Sequence, residues 1–154
     1  MIQKKISKQL YKATLILTCA FLLGACAKDD APEDEPPVQT DNGSFSWTLS
    51  SGQTVNADSA HCYNSITTIY AFKNGAANSI EVTLSALSVG SYSISSSTGN
   101  TFNFANGSTS YNGTSGSFVI SANANNKLSG NFSVNITGGT LTSISGSFQD
   151  IAKR

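Results

Sequence analysis

Residues able to do chemistry are few in this chain. His61 is the sole histidine among 154 residues, and Cys62 follows it directly. A thiol beside an imidazole is the raw material of nucleophilic catalysis, with the histidine taking the thiol proton. Neighbours in a strand point to opposite faces, so His61 and Cys62 are poorly placed to act as nucleophile and base. The other candidates after residue 43 are the carboxylates Asp58, Glu81 and Asp150. Metal binding needs several His, Cys or carboxylate ligands to converge, and these five residues show no recognised ligand spacing. Two carboxylates flanking a glycosidic bond would suit hydrolysis, but nothing in the sequence brings any two together. Serine is abundant, yet none sits in a Gly-x-Ser-x-Gly elbow. These residues predict no enzyme, no cofactor and no metal site.

Cys26 is a different case. Four lysines (Lys4, Lys5, Lys8, Lys12) precede an eleven-residue apolar run, Ala13 to Leu23, closed by Gly24 and Ala25. A basic start, a short apolar run and small residues describe a secretory signal peptide. The run is well short of the roughly 20 residues that span a bilayer as a helix. Leu23-Gly24-Ala25-Cys26 resembles the lipobox of bacterial lipoproteins. The resemblance implies cleavage before Cys26, a diacylglyceryl group on its sulfur, and acylation of the new amino terminus, palmitate being one such chain. A thiolate is the strong nucleophile among side chains. One acyl chain holds only marginally, at about 0.8 kcal/mol per buried methylene, whereas two or three together anchor a protein stably. The following Ala27-Lys28-Asp29-Asp30 is similar to the export signal of Bacteroidota surface lipoproteins. On that resemblance Lys28, Asp29 and Asp30 direct the protein to the outer face of the outer membrane. The alternative is an ordinary acidic linker on a periplasm-facing lipoprotein.

These elements divide the chain into a cleaved signal peptide (1–25), a lipidated cysteine with its tether (26–43) and one domain (44–154). Residues 27–43 hold all three prolines and six of the nine acids. Such a segment cannot bury enough apolar surface to fold, and its charges repel one another. As a random coil it reaches roughly 20–25 Å, more with proline and self-repulsion. From Cys26 onward the chain has five basic and nine acidic side chains, a net charge near −4. The domain itself carries four basic and three acidic groups. It offers no basic patch for nucleic acid and no polybasic membrane surface.

The domain is rich in Ser, Thr, Asn and Gly, and contains no proline. Its apolar residues alternate at period two, the signature of half-buried strands. In "KLSGNFSVNIT", Leu128, Gly130, Phe132, Val134 and Ile136 share one face. Ile80, Val82 and Leu84 repeat the pattern, as do Phe45, Trp47 and Leu49. Asn74-Gly75, Asn106-Gly107, Asn112-Gly113 and Gly138-Gly139 read as turns between the runs. The expected fold is all-β, with eight to ten short antiparallel strands in consecutive hairpins, as a sandwich or an up-and-down barrel.

Ser-Gly-(Ser/Asn)-Phe occurs three times, starting at Ser115, Ser129 and Ser145. Inward residues of paired strands must face inward residues. A three-residue loop, Asn123 to Asn125, would pair Ala122 with Asn126 and set Phe118 opposite Gly130 and Gly116 opposite Phe132. A Gly138-Gly139 turn would pair Ile136 with Leu141. A bulge near Thr142-Ser143 would then bring Phe148 to Gly130 and Phe132 to Gly146. Each ring would cover a glycine, which makes the repeat a packing device rather than a binding box.

With Cys19 removed and Cys26 acylated, Cys62 has no intramolecular disulfide partner and reads as a buried free thiol. Asp58-Ser59-Ala60 resembles the O-glycosylation acceptor of exported Bacteroidota proteins, which makes Ser59 the candidate for modification. The tail "NKLSGNFSVNITGGTLTSISGSFQDI" looks like that of a family of small all-β Bacteroidota surface-lipoprotein domains ending in similar hairpins. That resemblance rests on strand and turn chemistry and carries over no functional residues. Ser-, Thr- and Asn-rich strand faces, with Trp47 and tyrosines, suit adaptable polar contact. The expectation is a non-catalytic, lipid-anchored surface module for a glycan or protein. The alternative is a small periplasm-facing barrel carrying an apolar ligand, for which a hollow interior would be needed.

Overall fold

The structure is a computed structural model that describes residues 43–154. The signal peptide, Cys26, the Lys28-Asp29-Asp30 triplet and all but the last residue of the tether lie outside the described residues. Ten strands follow: β1 (Ser44–Leu49), β2 (Thr54–Asn56), β3 (Ser59–Tyr63), β4 (Thr68–Lys73), β5 (Asn78–Thr83), β6 (Gly90–Ser93), β7 (Thr101–Asn106), β8 (Thr109–Ala124), β9 (Lys127–Thr137) and β10 (Ser143–Lys153). The all-β expectation holds. The strands are not uniformly short, since β8 runs for 16 residues and β9 and β10 for 11 each.

Seven strands, β3, β4, β5, β7, β8, β9 and β10, close into a barrel. Closure removes sheet edges, which would otherwise invite pairing with other chains. Most neighbours are sequential hairpins, as expected, but the seam is not. There β10 meets β3 in parallel, with Ala152 beside His61 and Lys153 beside Cys62. Arg154 N–H extends the seam by donating to Cys62 O at 2.7 Å, and Asn64 N–H donates to Arg154 O at 2.9 Å. The upper part of the same β10 edge belongs to β1, which pairs antiparallel from Ser44↔Gln149 to Leu49↔Ile144. The hand-over falls at a bulge between Phe148 and Ile151, where Asp150 takes a left-handed φ of 53°. Gly43 passes so close that a Cβ there would sit 2.6 Å from Asp150 O. Only glycine fits this crossing.

Alternation turns Phe45, Trp47, Leu49, Ile80, Val82, Phe102, Phe104, Leu128, Phe132, Val134 and Ile136 inward, where all are buried. Phe118 stacks on Phe132 at 5.6 Å and on Phe148 at 5.1 Å, so rings fill the barrel interior. The repeat packs as expected in the second hairpin, with Phe148 across from Gly130 and Phe132 across from Gly146. The turn that delivers this register differs, because residues 138–142 form one longer connection and Ile136 N–H donates to Thr142 O at 3.0 Å. The extra residue sits in that loop, and the bulge lies beyond Phe148.

The first hairpin differs by two residues, with Phe118 opposite Phe132, Gly116 opposite Val134 and Ile120 opposite Gly130. Asn125 and Asn126 both adopt left-handed φ, 52° and 59°, and make a two-residue turn closed by Ala124↔Lys127. A shift of two leaves the inward face unchanged. Asn112-Gly113, expected as a turn, lies inside β8. The glycine is there for space, as a Cβ would stand 2.8 Å from Phe102 Cβ and 3.0 Å from Ile94 Cγ2.

The two ends of the barrel differ. At one end, which we call the base, residues 84–100 connect β5 to β7, and their β6 pairs with β8 from Gly90↔Ile120 to Ser93↔Ser117. Asn123 Nδ2 donates to Leu87 O at 2.7 Å, and Lys153 Nζ donates to Asn123 Oδ1 at 2.6 Å. Asn100 is buried but satisfied, accepting from Ser85 N–H at 2.7 Å and donating to Ser93 O at 3.0 Å. Leu84, Leu87 and Ile94 are buried here as a plug. The β1–β2, β4–β5, β7–β8 and β9–β10 connections gather at the opposite, turn end.

Candidate functional site: a polar-rimmed cleft at the turn end

The division of β10 between β1 and β3 opens the wall. β2 pairs only with β1, from Ser46↔Asn56 to Thr48↔Thr54. Its other edge faces the β4–β5 turn without pairing, and a cleft of about 420 Å³ lies between them. Each wall is set by local turn chemistry. Gly52, at φ 87°, lets the β1–β2 turn fold back so that Leu49 N–H reaches Gln53 O at 2.9 Å. Asn74 (φ 56°) and Gly75 (φ 72°) supply the left-handed residues of the β4–β5 turn. Gly107 (φ 63°) does the same between β7 and β8. Glycine and asparagine tolerate this region of backbone space, which other residues resist.

Trp47, Leu49 and Phe104 form the buried, apolar part of the lining. The Trp47 and Phe104 rings meet edge to face at 6.3 Å. Gln53, Asn74, Asn78 and Asn106 add amide-bearing residues to the lining, while Asn56, paired with Ser46 on the face opposite Trp47, borders it from β2. Lys73 is the cleft's one ionisable lining group, and its Nζ lies 2.5 Å from Asp58 Oδ1. Asp58 Oδ2 also accepts from Asn74 N–H at 2.8 Å. The Asn74 hydrogen bond, then Lys73, hold the Asp58 carboxyl below its ordinary range. Trp47 is 1% exposed, and its Nε1 is the one buried side-chain N or O among the described residues with no hydrogen-bond partner. Buried donors in folded proteins are nearly always paired, so this orphan on a cleft-lining ring stands out.

His61 and Cys62 diverge, as the strand geometry requires. Cys62 points inward and is fully buried, which pushes its thiol up to about 11 despite the opposing charge of Lys153. His61 points outward into a group of rings, with centroids 5.0 Å from Tyr63, 6.0 Å from Tyr70 and 5.9 Å from Phe72. Partial burial, then Glu81 and Tyr63, push the Tyr70 phenol upward. Most other outward positions of the sheet are Ser, Thr or Asn, so this aromatic face on β3 and β4 is distinctive. Ser59 is exposed at the start of β3, paired with Phe72. Among the described residues no three His, Cys, Asp or Glu side chains gather as a metal site.

Sequence reasoning placed Trp47 on a strand but did not connect it with the amides. Asn74 and Asn106 were visible only as turn formers, and Gln53, Asn56 and Asn78 carried no signal of their own. No helix of the described residues is long and apolar enough to cross a membrane. Comparison of the chain with protein-family models, curated proteins and solved structures finds no match.

Proposed function

We propose that the protein is a non-catalytic binding module, lipid-anchored through Cys26 and displayed on the outer face of the outer membrane, that engages a glycan or protein through the turn-end cleft. The position of the cleft is the observation that carries this reading. The tether joins at Gly43, where β1 begins, and the cleft forms around Trp47, Leu49 and the β1–β2 turn, where β1 ends. Six residues of strand separate the two by roughly 20 Å, so the cleft lies at the opposite end of β1 from Gly43. The lining is mostly polar, which suits a hydroxyl-rich or peptide ligand, and the volume falls within the range of about 300–1,000 Å³ for ligand sites.

The alternative of a barrel carrying an apolar ligand has less support. Stacked rings of Phe45, Phe118, Phe132 and Phe148 occupy the interior where such a ligand would lie. The test is a binding screen of the full chain, purified in detergent, against glycan and host-matrix arrays. Saturable binding to a component of either array is expected, and absence of binding to both arrays would overturn the proposal.

A further inference from the structure

We infer that the turn-end cleft takes a neutral saccharide segment, held by the side-chain amides of its lining, with Trp47 packed directly behind them. This rests on the reading of the cleft as the binding site and adds the chemical class of its ligand. Charge comes first. Within the lining only Lys73 ionises, and it is already matched by Asp58 at 2.5 Å. An anionic ligand would have to break that pair, and a cationic one would find no carboxylate in the lining. The cleft is built for a ligand without net charge.

Hydrogen-bonding character comes next. The side chains of Gln53, Asn74, Asn78 and Asn106 each offer donors and an acceptor. None is engaged by another described residue, whereas Asn100, Asn123 and Asn126 spend theirs within the fold. A sugar hydroxyl likewise donates and accepts, so a polyol can satisfy a ring of amides in many registers. A purely apolar ligand would strip water from these amides and return nothing. Below the amides, Trp47, Leu49 and Phe104 are buried and form the firm apolar backing of the cleft rather than a stacking face.

Trp47 is the only tryptophan of the chain, so its emission reports on this cleft alone. The experiment titrates the full chain, in detergent, with neutral oligosaccharides (cello-, xylo-, manno- and malto-hexaose), oligogalacturonate and an unstructured Gly/Ser-rich peptide. At least one neutral hexaose should change Trp47 emission saturably. The double variant Gln53→Ala/Asn78→Ala should weaken that response about tenfold or more, as expected for two lost hydrogen bonds. Tyr70→Ala, on the outer wall, should leave it unchanged. A response to oligogalacturonate or the peptide alone overturns the saccharide assignment while leaving the cleft as a binding site. A silent Trp47 with every probe overturns the assignment outright, and array binding that persists beside it would show that the module binds elsewhere. An unaltered response in the double variant, folded by circular dichroism, also overturns it.

Discussion

Phe148 lies directly across from Gly130, its Cζ 2.6 Å from the point where a Cβ on that glycine would stand. The carbonyl of Val119 closes in on the same point from β8, so a side chain at Gly130 has nowhere to go. Gly130→Ala is expected to lower stability by about 3 kcal/mol or more, at the top of the overpacking range, and Gly130→Leu should not fold. Denaturant unfolding checks the first and expression as a soluble, β-rich chain checks the second. Gly146 behaves alike, because Phe132 Cζ lies 2.6 Å from its would-be Cβ.

Burial of Cys62 makes an alkaline prediction. The folded thiol titrates at about 11, above its ordinary value of 9.0. An unfolded chain therefore loses the thiol proton first, and stability falls as pH rises through that window. The contribution is fully present below pH 9 and is lost toward pH 11, at up to about 1.4 kcal/mol per pH unit. Chemical denaturation between pH 8 and 11 should show the decline, reduced in Cys62→Ala. The native thiol should resist alkylation at pH 8 and react on unfolding.

At the cleft rim the sign reverses. Asp58 has a lowered carboxyl pKa, from Asn74 N–H first and Lys73 second. Its contribution is present above the ordinary carboxylate range and is lost as pH falls below about 4 through the folded value. Asp58 is exposed, so the effect on global stability is small. The local effect is the measurable one, and Asp58→Asn should speed hydrogen exchange at the Asn74 amide.

The proposed localisation rests on four residues outside the described domain. Cys26→Ser should move the protein from the membrane to the soluble fraction. Replacing Lys28, Asp29 and Asp30 with alanine should leave it anchored but protected from protease added to intact cells. Complete protection of the unaltered protein would reject surface display, and unchanged fractionation of Cys26→Ser would reject the anchor.

Strand positions were the most legible part of the sequence, because one face of each strand is buried and alternation records it. Leu128 to Ile136 is the clearest case. Registers were less legible where turn chemistry was ambiguous. Asn123 to Asn126 offers several left-handed positions, and the chain uses Asn125-Asn126 rather than a three-residue loop. Asn112-Gly113 reads as a turn only until Phe102 and Ile94 are seen to need the space. The cleft was illegible because no local pattern encodes it. Lys73, Asn78 and Asn106 meet as one cross-strand row over β4, β5 and β7, and Gln53 joins them from the separate β1–β2 turn.

Binding through the turn end is the central claim, and blocking the cleft tests it most directly. Val55 lies on β2, half-buried against the core across from Trp47, and lines the cleft, so Val55→Trp should fill the space. The full chain and this variant, matched for thermal stability, are compared on the glycan and matrix component that the unaltered protein binds. The account predicts a loss of affinity of at least tenfold in Val55→Trp. Equal affinity of the two would contradict it and move the site elsewhere on the domain.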